Sequence, residues 1–70
     1  PPKGSIVTVL EDVTTTGSSA IRAVNTLRDA GYIVNRVVTI VDRMENHKVW
    51  ENNEIKFISL FQLEDIINAE

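Results

Sequence analysis

The residues best suited to chemistry lie close together near the start of the chain: Glu11-Asp12-Val13-Thr14-Thr15-Thr16-Gly17-Ser18-Ser19. A glycine among small hydroxyl residues reads as a tight loop, because Gly17 tolerates backbone angles that other residues resist. A helix that opens just after such a loop presents free N–H groups and the positive end of its dipole, a combination that favours a phosphate. Thr15, Thr16, Ser18 and Ser19 add hydroxyl donors without adding charge. Glu11 and Asp12 repel a bare phosphate but accept hydrogen bonds from a diol, so the string as a whole suits a sugar phosphate. The two acids would also stabilise positive charge developing at a ribose carbon, and could hold Mg²⁺ through water or substrate oxygens. There is no G-x-x-x-x-G-K-[ST] pattern and no G-x-G-x-x-G, so neither a nucleoside-triphosphate loop nor a dinucleotide fingerprint is present.

The surrounding elements explain how such a loop would be positioned. Residues 5–10 are β-branched and apolar on both faces, as in a strand buried within a sheet, and the two acids end it. From Ala20 the period changes: Ala20, Ala23, Val24, Leu27 and Ala30 form one helical stripe, while Arg22, Asn25, Arg28 and Asp29 face away. Gly31 suits a left-handed cap that closes the helix. Residues 33–41 read as a second strand, which completes a βαβ unit with parallel strands. Residues 42–53 are polar, with Val49-Trp50 as an apolar interruption, and read as a long loop. Residues 55–60 form a third strand, and Leu63, Ile66 and Ile67 mark a terminal helix. Residues 1–4 are a leader without periodicity. The order βαβ-loop-βα is an α/β pattern, and ligands bind such parallel sheets at the carboxyl ends of the strands.

The global properties narrow the class. The chain has 70 residues and a net charge of −3, a poor electrostatic footprint for nucleic acid. It has no cysteine, which excludes disulfides and thiolate zinc sites. No apolar stretch is long enough for a membrane helix, no secretory signal opens the chain, and 43% hydrophobic residues suit a folded domain. His47 has no second histidine or cysteine nearby and reads as a loop residue rather than a metal ligand. Ser18 and Ser19 lack a base that would make either a nucleophile. Trp50 reads as a packing residue, and Arg22, Arg28 and Arg36 as parts of solvated faces.

The string from Val9 to Ser19 closely resembles the phosphoribosyl-diphosphate (PRPP) motif of the type I phosphoribosyltransferases: strand end, two acids, a hydrophobic residue, then a Thr/Ser-Gly loop. Thr8 and Thr14 stand where that family often has aliphatic residues, although Glu-Asp-Val-Thr-Thr-Thr-Gly is similar to its orotate branch. Val41-Asp42-Arg43 resembles the segment of that branch whose arginine grips the orotate carboxylate, a task that suits a planar guanidinium fork. The following Met44-Glu45-Asn46 lacks the family's glycine. The tail from Ser59 to Ile67 also resembles the branch's last strand and helix.

The resemblance implies a Rossmann-like type I phosphoribosyltransferase fold with a parallel sheet. It implies the transfer of ribose 5-phosphate from PRPP to orotate, giving orotidine 5′-monophosphate and diphosphate in pyrimidine synthesis. Glu11 and Asp12 would hold the ribose. Val13, Thr14, Thr15, Thr16, Gly17, Ser18 and Ser19 would complete the PRPP site, and Thr15 and Arg43 would meet orotate. Mg²⁺ would arrive with PRPP, without direct protein ligands. The implied setting is a cytoplasmic homodimer with no nucleic-acid or membrane partner. Because the family is longer and carries a basic catalytic loop, residues 5–70 are expected to be the C-terminal part of one domain, inactive without its N-terminal part. The alternatives are a PRPP-binding regulatory module and a transferase for another base.

Overall fold

The computed structural model describes residues 1–62. Strand β1 (Ile6–Thr14), helix α1 (Ser18–Asp29), strand β2 (Ile33–Asp42), helix α2 (Lys48–Asn52) and strand β3 (Lys56–Gln62) follow one another along the chain. The sheet has the order β1-β2-β3, and both strand pairs are parallel. The expected terminal helix through Leu63, Ile66 and Ile67 lies outside the described residues. Among the described residues, no helix is long and apolar enough to cross a membrane.

The core lies on one face of the sheet. Val9, Val34 and Val37 project from the strands onto Ala20 and Val24 of α1, Trp50 of α2 and Ile55, with Ala23, Leu27 and Phe57 packed around them. The apolar stripe read from the sequence is thus the buried face of α1, except for Ala30, which is exposed and caps the helix. Gly31 closes α1 at φ +98°, with its N–H donating to the Arg28 carbonyl and the Tyr32 N–H donating to Leu27. This is the double bond of a Schellman ending. The leader docks beside this turn, since the Gly4 N–H donates to the Gly31 carbonyl and the Tyr32 hydroxyl to that of Pro1.

Val34 and Val37 are three residues apart yet share the core, which strict strand alternation forbids. A register shift resolves this: Val7 pairs with Val34 and Thr8 with Arg36, so Asn35 is an extra residue in β2. Such a bulge resets the alternation and keeps both valines facing α1.

Four features differ from the sequence reading. The acids do not end β1, which runs on to Thr14 because Glu11, Val13 and Thr14 pair with Thr39, Val41 and Asp42 of β2. The loop over residues 42–53 contains the short helix α2, held down by the buried Trp50. Arg28 is not part of a solvated face. Its guanidinium donates to the carbonyls of Val34 (Nε, 3.1 Å) and Asn53 (Nη1, 2.9 Å), joining α1 to β2 and to the end of α2. Finally, the described residues cover only one sheet face. Ile6, Leu10, Ile33, Ile40 and Leu60 alternate onto the other face, where Leu10 stays 75% exposed.

Candidate functional site

The end of β1 and the start of α1 enclose a recess of ≈ 90 Å³, lined by Glu11 and by residues 13–20. Its floor is fixed by hydroxyl pairing. Thr14 and Thr39 are buried, and Thr14 Oγ1 donates to Thr39 Oγ1 over 2.9 Å. Thr39 Oγ1 in turn approaches the Val41 carbonyl at 3.1 Å and that of Asp12 at 3.4 Å. Two threonines in adjacent strands thereby meet their polar needs inside the sheet, where an unpaired hydroxyl is costly.

Above this floor the chain turns at Gly17, which is buried and stands at φ +83° before the first turn of α1. The glycine is needed twice. Its backbone angle is left-handed, and a Cβ there would lie 3.1 Å from Met44 Cε and 3.1 Å from a Trp50 ring carbon. The space where a Cβ would stand is therefore filled by the protein's own Met44 and Trp50.

The Gly17 carbonyl accepts the first helical bond, from the Ile21 N–H. Thr16 Oγ1 accepts from the Ser18 N–H over 3.3 Å and pairs with Ser18 Oγ at 2.9 Å. The N–H groups of Ser19 and Ala20 have no intrahelical acceptor at this position in a helix, and both residues line the recess. Together with the helix dipole they suit an anion.

The two acids take different places. Glu11 is half-buried and lines the recess, whereas Asp12 alternates to the other face and accepts the Val13 N–H at Oδ1 over 2.8 Å. Thr15 and Thr16 are exposed at the recess rim. Among the described residues, no group of three or more His, Cys, Asp or Glu side chains stands close enough to hold a metal. Glu11 and Asp12 offer hard oxygen donors that suit Mg²⁺ as outer partners, but they do not form a complete cage.

Arg43 follows β2 directly, and its backbone N–H donates to the Thr14 carbonyl over 2.8 Å. That bond sets the arginine beside the recess, with its side chain exposed. Met44 and Trp50 close the gap between the two rims: Trp50 Nε1 donates to Met44 Sδ over 3.3 Å, and the indole stacks on Phe57 at 4.5 Å and 4°. Packing is therefore the role of Trp50.

One interaction was missed by sequence reasoning. His47 is not a solitary loop residue, because its Nε2 lies 2.6 Å from Oδ2 of the buried Asp42. Nothing in a five-residue separation announces that contact. It forms because β2 buries Asp42 at its end and the chain curls back into α2.

No family model matches the chain. Individual relatives do. It is 50% identical over 66 residues to the orotate phosphoribosyltransferase of Thermosynechococcus vestitus, covering 93% of this chain and 35% of that protein. The orotate phosphoribosyltransferase of Halobacterium salinarum is 41% identical over 68 residues, covering 96% of this chain and 39% of that protein. Among solved structures, orotate phosphoribosyltransferase from Aeropyrum pernix superposes with a TM-score of 0.90 at 31% identity, over 99% of this chain and 39% of that one. UMP synthase from Leishmania donovani gives 0.85 at 29% identity, over 97% of this chain and 15% of that one. In sequence and in fold, the chain is similar to the orotate phosphoribosyltransferases, matched over little more than a third of the length of those from T. vestitus and H. salinarum.

Proposed function

We propose that the protein containing this chain transfers the ribose 5-phosphate of PRPP to orotate, in pyrimidine synthesis. The observation that carries the reading is the recess between β1 and α1 with Arg43 tethered beside it through Thr14. An anion corner, a carboxylate and a guanidinium around one recess match the three parts of the substrate pair: phosphate, ribose and orotate carboxylate. The relatives named above support it independently.

On this reading the N–H groups at the start of α1 and the hydroxyls of Thr15, Thr16, Ser18 and Ser19 hold the 5′-phosphate. Val13, Thr14 and Gly17 shape the backbone around it. Glu11, which lines the recess, accepts hydrogen bonds from the ribose hydroxyls, while Asp12, turned to the other face, contributes only charge to stabilising the cationic character that develops as diphosphate departs. Arg43 grips the orotate carboxylate through two parallel bonds, with Thr15 beside it. As diphosphate leaves, the ring nitrogen of orotate forms the new bond to the ribose carbon, and its N–H proton is released to the diphosphate. The residues' contribution is positioning and charge stabilisation, with no covalent intermediate on the chain. Glu11, and Asp12 at longer range, would hold Mg²⁺ through water molecules, and the ion would supply positive charge to the diphosphate of PRPP.

Residues 5–70 form the C-terminal part of the transferase domain, and the sheet face that the described residues leave bare, with Leu10 exposed, supports further polypeptide lying against it. The working enzyme is a cytoplasmic homodimer, and the 70 residues alone are inactive. Sedimentation of the intact protein checks the assembly.

The central test is substitution of Arg43 in the intact protein. Arg43→Ala should weaken orotate binding by about 10- to 100-fold, as expected for loss of a charged hydrogen-bonded pair, while PRPP binding is kept. An intact protein that binds PRPP but is indifferent to Arg43→Ala would be a regulatory module. One that prefers adenine, guanine or uracil would be a transferase for another base.

A further inference from the structure

Among the described residues, the mechanism above leaves one buried charged group unused: the Asp42 carboxylate, 5% exposed. Its two oxygens are engaged on opposite sides of a loop. Oδ1 accepts the Met44 N–H over 2.8 Å, and Oδ2 lies 2.6 Å from His47 Nε2. A carboxylate only accepts, so the imidazole supplies the hydrogen. One side chain therefore ties the residue just after Arg43 to the residue at the entrance of α2.

The consequence falls on Arg43. Its own N–H is fixed by the Thr14 carbonyl, and the next N–H along the chain, that of Met44, is fixed by Asp42. With the peptide groups on both sides held, the position of the guanidinium depends on side-chain torsions alone. His47 is the outer anchor. Its ring is tilted against Phe57 at a centroid distance of 5.8 Å, which braces it toward Asp42. Loop 43–47 lacks the glycine expected there, so backbone permissiveness does not shape it. Side-chain bonds do.

We infer that Asp42 and His47 are positioning residues that hold the backbone of Arg43 ready for the carboxylate of the acceptor base. This rests on the transferase reading and adds to it a specific device. Without the anchor, the loop must be ordered when the base binds, and that ordering cost appears as weaker binding. PRPP, held by the rim after β1, should not feel it.

The experiment uses the intact protein with His47→Ala and His47→Gln. His47 is the partly exposed member of the pair, so its removal leaves the core filled. His47→Ala should raise KM for orotate by about 5- to 30-fold, the factor carried by one or two ordering contributions. KM for PRPP should stay near the wild-type value. His47→Gln, whose amide N–H can still reach Asp42, should restore most of the orotate affinity. An unchanged orotate KM in His47→Ala overturns the inference. So does a parallel rise in both KM values that glutamine fails to rescue, which is the mark of a general structural role. An intact wild-type protein inert toward orotate overturns the transferase reading and this inference with it. An active wild type with an indifferent His47→Ala overturns the positioning role alone.

Discussion

After β1 the chain turns through Gly17 at φ +83°, and the turn is shaped by backbone conformation and by short-range hydroxyl bonds between Thr16 and Ser18. After β2 it turns through Arg43 and Met44, and that turn is shaped by a buried carboxylate, an imidazole five residues on, and an indole packed beneath. The first rim is built from local chemistry and presents backbone donors, which suits a ligand group as uniform as phosphate. The second is built from side chains and presents a side chain, Arg43, which suits a more distinctive group. They meet where Met44 and Trp50 lie against Gly17 and where the Arg43 N–H donates to the Thr14 carbonyl. Rims held in different ways can thus be perturbed separately, except through those contacts.

The severest break is therefore at the first of those contacts. Trp50 is 2% exposed and stacked on Phe57, so Trp50→Ala should cost about 3–5 kcal/mol of stability. It should also loosen both rims together, which denaturant titration of the intact protein with PRPP and orotate binding would show. Gly17→Ala acts on the first rim and on the same contact. A left-handed alanine with its Cβ 3.1 Å from Met44 and Trp50 should cost about 2–4 kcal/mol. If PRPP binding survived that change, the geometry of the turn would not be what holds phosphate. Thr39→Val is gentler and sharper. It removes the acceptor for the buried Thr14 hydroxyl and should cost about 1–2 kcal/mol, with the Arg43 rim unaffected. Equal losses of orotate and PRPP affinity in Thr39→Val would mean that the two rims are not separable.

The difference between the rims also explains what was legible beforehand. A glycine flanked by threonines and serines, placed between an apolar strand and a helical stripe, carries its meaning in adjacent residues. The recess accordingly forms from the string that sequence reading singled out. The helical stripe of α1 and the glycine that ends it were legible for the same reason. The Asp42–His47 pair was not, because its partners are brought together by the burial of a strand end and the return of α2. Helix α2 was missed since its five residues offer only Val49 and Trp50 to a periodicity argument. The Asn46 side chain, which accepts the Lys48 N–H over 2.8 Å, was the available local signal.

Strand β1 shows the boundary most clearly. Apolar content from Ile6 to Leu10 announces a strand, and Glu11-Asp12 breaks that pattern, so local reasoning stops there. The ladder with β2 does not depend on side-chain polarity, and it carries the strand through the acids to Thr14. As a result the acids alternate onto different faces, with Glu11 in the recess and Asp12 away from it. Arg28 teaches the same lesson from a helix. Its place on the stripe's polar side said solvent, but the carbonyls of Val34 and Asn53 lie within reach of its long side chain.

By itself, the sequence determined the α/β order, the parallel pairing, the stripe that packs α1 and the loop that gathers donors at a helix start. Those depend on period, propensity and turn chemistry, which act over a few residues. Tertiary structure alone decided which of the two acids lines the recess, where Arg43 is tethered, what fills the space beside Gly17 and which sheet face carries the core. Those depend on strand register and on contacts between residues far apart in the chain, which only the folded backbone brings within hydrogen-bonding distance.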